Sequence, residues 1–286
     1  AVRRETLDHP TARDALEDKC TVCHLPIART AAVAAGGQGR AFENFPVVGN
    51  GPHAAVAQDG VSCTVCHQIQ DENLGTRQGF TGGYVIDLTT PMGARAAYGP
   101  FAVDAGRARV MHSASQFEPM RAAHVQSPEF CANCHTLFTH ALDAEGNEVG
   151  ELPEQVPYLE WKHSSYPGVK TCQDCHMPQV AGRASVTSVL PNPREEVNQH
   201  VFRGGNFLMP RILNKHRADL GVRALPQDLE ATARSVEDHL GSATAKLGLA
   251  AVSDVAGRLA VDIRVANLAG HKLPSAYPSR RAWLHG

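Results

Sequence analysis

A cysteine pair three residues apart, followed at once by histidine, occurs four times: Cys20/Cys23/His24, Cys63/Cys66/His67, Cys131/Cys134/His135 and Cys172/Cys175/His176. Each Cys-x-x-Cys-His is the covalent attachment signature of a c-type haem, with two thioethers from the cysteines and one axial iron bond from the histidine. The pattern constrains the fold directly. Two cysteines three apart on a helical turn project the same way and reach one porphyrin edge, and the next residue aims its imidazole at the iron. Tethering of this kind needs little polypeptide per cofactor.

All eight cysteines lie inside the four motifs. With 15 histidines in 286 residues, four unrelated pairs would each precede a histidine by chance roughly once in 100,000. Zinc ribbons set their pairs about 15–20 residues apart, whereas the gaps here are roughly 40, 65 and 40 residues. Zinc also has no need of a histidine beside every second cysteine. A redox dithiol accounts for one motif, not four. The expected cofactors are four covalently attached haem c groups.

Aromatic residues make up only 6% of the chain, which is low for a core of this size, and porphyrin faces are expected to supply the flat apolar surface. The formal charge is −2 before eight haem propionates are counted, and arginine outnumbers lysine 21 to 6. Arginine forks suit propionates, and Arg203, Arg280 and Arg281 are the chosen partners. No basic block points to nucleic acid, and no apolar run approaches membrane-spanning length. With no signal peptide in the sequence, the opening at Ala1 is expected to be a processed terminus. Haem attachment to this motif takes place outside the cytoplasm, so a periplasmic or extracellular location is expected.

Along the chain, residues 1–24 read as a short helix running into the first motif, with Pro10 at an early helical position. Residues 36–60 and 143–157 read as loops, and Tyr84-Val85-Ile86 as a short β-prone piece. A helix is expected from about Asn206 to Leu220, and another from about Pro226 to Leu240, stopped by Gly241. Leu259, Val261, Ile263 and Val265 then alternate as a half-buried strand, pairing with 245–252 through a turn at 254–257. Residues 282–284 would begin a further strand. The expected architecture is a mainly α and irregular multihaem cytochrome c fold, with a haem-packed core, short helices and long loops over 1–241. Residues 242–286 would be a small β-strand segment, which either belongs to a longer chain or pairs its open edge with something else.

Eleven histidines stand outside the motifs: His9, His53, His112, His124, His140, His163, His200, His216, His239, His271 and His285. Four would complete bis-histidine coordination, which keeps iron low-spin, whereas a methionine ligand raises the potential. His200 precedes the Gly204-Gly205 break, and His271 sits in the turn Gly270-His271-Lys272-Leu273-Pro274. His112 and His124 fall between the second and third motifs. His9 and His53 lie ten or eleven residues before a motif cysteine, and with His163 they remain alternatives. His239 reads as solvated and His285 as a strand residue.

The runs Phe130-Cys131-Ala132-Asn133-Cys134-His135-Thr136-Leu137, Pro157-Tyr158-Leu159-Glu160-Trp161 and Cys172-Gln173-Asp174-Cys175-His176-Met177-Pro178 resemble exported multihaem cytochromes of the tetrahaem c-554-like group. His200-Val201-Phe202-Arg203-Gly204-Gly205-Asn206 and Gly270-His271-Lys272-Leu273-Pro274 are similar to that group too. The resemblance implies that His112, His124, His200 and His271 are distal ligands. It also implies a carboxy-terminal β-sandwich, present here in part.

The function expected is electron transfer along closely spaced, mostly bis-histidine haems, exchanging with redox partner proteins and without enzymatic turnover. One alternative is a subunit of an extracellular filament, a homopolymer using the same haems. Another is a multihaem oxidoreductase with one open iron position. Against the latter, all four motifs end in histidine and not in the lysine of nitrite-reducing relatives.

Overall fold

The computed structural model describes residues 2–45, 49–143, 145 and 147–285. The elements run α1 (Val2–Asp8), α2 (Arg13–His24), α3 (Pro26–Ala34), α4 (Ala41–Asn44), α5 (Ala54–Ala57), α6 (Cys63–Cys66), β1 (Ala96–Gly99), α7 (Ala105–Ser115), β2 (Glu118–Arg121), α8 (Pro128–Ala132), β3 (Leu137–Leu142) and β4 (Glu148–Gln155). They continue as α9 (Pro157–Lys162), α10 (Cys172–His176), α11 (Leu208–Lys215), α12 (Arg217–Leu220), α13 (Pro226–Ala243), β5 (Ala245–Val255) and β6 (Arg258–Asn267). The strands form three two-stranded sheets, β1–β2 parallel, β3–β4 and β5–β6 antiparallel. The chain packs as two units: 1–155 with 187–191 and 219–221, and 156–186 with 192–218 and 222–286. The 241/242 boundary expected from sequence lies inside the second unit.

In the first unit, α2 is held by two carboxylates. Glu17, fully buried, pairs with Arg13 at 2.7 Å and accepts from the Phe42 amide at 3.0 Å. Asp18 takes the Arg29 fork at 3.0 and 2.8 Å and the Gly39 amide at 2.7 Å. The helix expected over 1–24 is broken by a 3₁₀ turn at Pro10–Ala12, because Pro10 has no amide hydrogen to bond back into α1. The expected loop 36–60 contains the single turns α4 and α5, with 46–48 outside the described residues. The loop expected over 143–157 is mostly β4, paired with β3. The Tyr84–Ile86 piece makes one bridge, Ile69 to Ile86.

In the second unit, Asn206 Oδ1 accepts from the Met209 amide at 3.1 Å, but the helix breaks at His216 into α11 and α12. Helix α13 buries Ala233 and Val236 and runs through Gly241 to Ala243. A forked pair from Arg211 to Glu237, at 2.6 and 2.7 Å, ties α11 to α13. The β5–β6 turn has both Ala256 and Gly257 at positive φ (54° and 73°), as a two-residue hairpin turn requires. Residues 282–285 form no strand. The alternating apolar face of β6 is open rather than half-buried, with Leu259 75% and Ile263 51% exposed.

Self-burial is small throughout. Ten apolar residues among those described are buried, and the accessible surface is 18188 Å². A folded chain of 30.6 kDa ordinarily exposes about 12,000 Å², and two separate halves about 14,000 Å². The protein therefore packs much less of its apolar surface against itself than its length allows.

Candidate haem-attachment sites

Each motif is carried on one helical turn: the first ends α2, the second forms α6, the third spans the end of α8 and the fourth is α10. The fourth turn opens with a reciprocal cap. The Thr171 amide donates to Asp174 Oδ2 at 2.7 Å, and the Asp174 amide donates to Thr171 Oγ1 at 3.3 Å, satisfying two amides that a helix start leaves open. All eight cysteines carry free thiols.

The first three motifs converge in the first unit. The Cys23 and Cys134 thiols are neighbours, although their motifs are separated by the second. Cys134 holds the Cys23 thiol below its usual range. Cys23, burial and the neighbouring Cys66 thiol push Cys134 well above it. Cys66 is raised by burial.

The segment 79–86 is the strut that joins them, a role its sequence does not signal. The Thr81 amide donates to Thr136 O at 2.8 Å and the Gly82 amide to Asn133 O at 2.6 Å, fastening it to the third motif. The Tyr84 hydroxyl donates to Val22 O, inside the first motif, at 2.9 Å. The Gln70 amide donates to Val85 O at 2.9 Å, just beyond the second motif. Gly82 has φ +81°, and a Cβ there would lie 2.5 Å from Val22 Cγ1, so the close approach requires glycine. Burial, then the three thiols Cys134, Cys23 and Cys66, keep the Tyr84 hydroxyl protonated far up the pH scale against an opposing Arg29. Within and just after the third motif, Asn133 Oδ1 and Thr136 Oγ1 are buried with no partner among the described residues.

His67 donates from Nδ1 to Tyr98 O at 2.5 Å, and the Tyr98 amide returns a bond to His67 O at 2.7 Å. A carbonyl only accepts, so the Nδ1 proton is fixed and Nε2 carries the lone pair. His124 turns Nε2 to Ile69 O at 2.8 Å, its ring 5.1 Å from Tyr98 and 6.1 Å from Phe130. His112 turns Nε2 to Gly93 O at 2.7 Å. These two would therefore offer Nδ1. His24 and His135 are exposed. His53 lines a cleft of about 520 Å³ with Gln38, Arg40 and Asn44, within the size range of cofactor pockets. His9 pairs with Glu5 at 3.6 Å, and His163 ends α9.

The fourth motif lies in the second unit. His176 donates from Nδ1 to Arg203 O, and the Arg203 amide donates to His176 O at 3.0 Å. Burial lowers the His176 pKa, keeping the imidazole neutral as a ligand must be. The His271 ring is a neighbour: ring centres are 6.3 Å apart and the planes differ by 6°. Two imidazoles sharing one metal at about 2 Å each have centres about 6 Å apart. His271 Nδ1 donates to Lys272 O at 2.9 Å, so both rings carry the lone pair on Nε2. The His271 turn is anchored from α9, where Glu160 Oε2 accepts from the Lys272 amide at 3.0 Å and the Ser275 hydroxyl at 2.7 Å. Gly270, at φ +72°, lies so close to the Tyr166 ring that a Cβ would fall 2.9 Å from it.

Arg203 Nε is buried without a partner among the described residues, which suits a propionate. Arg280 and Arg281 lie in the exposed terminal segment. His200 lies edge-on to Phe202 at 5.9 Å. His239, expected to be solvated, is half-buried on α13 with its ring 6.2 Å from His176. Helical spacing placed it off the α13 apolar face, but the His176 turn packs beside it. Among the described residues, no group of three or more His, Cys, Asp or Glu side chains is gathered to hold a bare metal ion. No helix among them is long and apolar enough to cross a membrane.

Compared with protein-family models, curated proteins and solved structures, the chain matches none.

Proposed function

We propose that the chain is an exported tetrahaem c-type cytochrome that passes electrons between redox partner proteins without transforming a substrate. The observation that carries this reading is the fourth motif, where the His176 and His271 rings lie with centres 6.3 Å apart and each Nδ1 is tied to a backbone carbonyl. When bound, the haem irons supply one-electron chemistry. The chain's own residues hold and orient. Cys20, Cys23, Cys63, Cys66, Cys131, Cys134, Cys172 and Cys175 provide the thioether sulfurs, and His24, His67, His135 and His176 the proximal nitrogens. His112, His124, His200 and His271 are the proposed distal nitrogens.

Adjacency of the motifs supports transfer over storage in isolated centres. The Cys23–Cys134 contact makes neighbours of the porphyrin edges tethered by the first and third motifs, and Cys66 is close to both through Cys134 and Tyr84. The large open apolar surface fits a core completed by porphyrin faces. Pyridine haemochrome analysis of the purified holoprotein should count four haems per chain, and electron paramagnetic resonance should find them low-spin. Colourless or zinc-loaded protein would sink the proposal, and a high-spin resting signal would move it toward an enzyme.

A filament subunit is the second reading, favoured by hairpin β5–β6, where Leu249 and Leu259 are 71% and 75% exposed. Two strands rarely stand alone. Discrete particles at high concentration under the electron microscope would remove it.

A further inference from the structure

We infer that the fourth haem has two competing distal imidazoles, His271 and His239, either of which can complete its iron opposite His176. The inference rests on the proposed haem at the fourth motif. His176 has two histidine neighbours at nearly the same range, His271 at 6.3 Å and His239 at 6.2 Å. Both distances are those of rings that share a metal at about 2 Å per bond. They differ in tilt, 6° for His271 and 57° for His239.

The two rings come from differently built elements. His271 sits in a turn fastened by Glu160, by Tyr166 against Gly270, and by Asn267 Nδ2 donating to His271 O at 2.7 Å. His239 is carried by α13, whose position depends on the Arg211–Glu237 fork two residues away. The two rings are thus carried by a turn that follows β6 and by helix α13, which precedes β5. Exchange replaces one iron–nitrogen bond by another, with no net change in electrons or protons. His271 is the resident ligand because its turn is fastened by Glu160 and Asn267 and its Nδ1 proton is fixed on Lys272 O, leaving the lone pair on Nε2. Displacement of that turn, for instance by a partner docking on the hairpin, would hand the iron to His239 rather than leave it open.

The test uses holoprotein variants H271A, H239A and the double variant, read by electron paramagnetic resonance with a haemochrome count on each. Both single variants should keep four low-spin haems, and H271A should shift one low-spin signal because the imidazole planes change their relative tilt. The double variant should convert one haem in four to high spin, and added imidazole should restore it. A high-spin haem in either single variant, or a double variant that stays wholly low-spin, overturns the inference. If H271A does not accumulate, H271Q preserves length and polarity and is read in the same way. Wild-type protein with fewer than four haems would instead overturn the cytochrome reading, so the two failures are distinct.

Discussion

The Tyr84 hydroxyl donates to the Val22 carbonyl at 2.9 Å across 62 residues of sequence. This single bond joins the strut at 79–86 to the middle of the first motif, while its neighbours Thr81 and Gly82 hold the third. Because the donor is buried among three motif cysteines, loss of the bond is felt where the porphyrin edges would meet.

Tyr84→Phe keeps the ring and removes the donor. The Val22 carbonyl is then left without that partner, at a cost of about 1–3 kcal/mol. Denaturant unfolding of the holoprotein, followed at the haem absorbance, should show a lower midpoint with an unchanged slope. An unchanged midpoint would mean that water replaces the hydroxyl freely.

Gly82→Ala meets two obstacles at once, φ +81° and a Cβ 2.5 Å from Val22 Cγ1. The expected loss exceeds that of Tyr84→Phe and is at least about 2 kcal/mol. Gly204→Ala is the control, since nothing lies within 4 Å of its Cβ. Equal melting temperatures for the two variants would contradict the packing described.

Acid should loosen the α2 end of the first unit. Burial pushes the Asp18 carboxyl up, but the Arg29 fork and the Gly39 amide outweigh it and hold it below the usual carboxylate range. A lowered native pKa means that the stabilisation is complete above the unfolded pKa, about 4, and is lost as pH falls through the native value. Asp18→Asn should remove about 1 kcal/mol at pH 7, discounted for partial exposure, and less at pH 3. Thermal unfolding at both pH values reads the difference, and an equal loss at both would refute the assignment.

Glu160→Gln tests the His271 turn without touching either imidazole. The neutral amide oxygen accepts more weakly than a carboxylate from the Lys272 amide and the Ser275 hydroxyl. The turn should loosen by about 1–2 kcal/mol. The low-spin signal of the fourth haem should broaden or shift while the haem count stays at four.

Haem removal should unfold most of the chain. With ten buried apolar residues among those described, protein made without haem attachment should keep part of its far-ultraviolet dichroism and lose its near-ultraviolet signal. A cooperative thermal transition in such material would show that the polypeptide core suffices alone.

The four Cys-x-x-Cys-His turns, the hairpin β5–β6 with its turn at 254–257, and the start of α13 at Pro226 were legible in sequence because each is a local pattern. Spacing within one helical turn, period-two alternation and proline at a helix start need no distant partner. The break at Pro10, a local effect of its missing amide hydrogen, was read as part of one helix. The break at His216 and the open face of β6 were missed, since they depend on what packs alongside. So was the strut at 79–86, whose meaning lies in bonds to Val22, Asn133 and Thr136. Local spacing ranked His239 as solvated for the same reason, because its neighbour His176 is 63 residues away. Sequence alone determined where the four Cys-x-x-Cys-His turns lie, as each is written within five consecutive positions. Only the tertiary structure decided that Cys23 meets Cys134 and that His271 lies beside His176, because those meetings follow from long-range hydrogen bonds and close packing that no local period encodes.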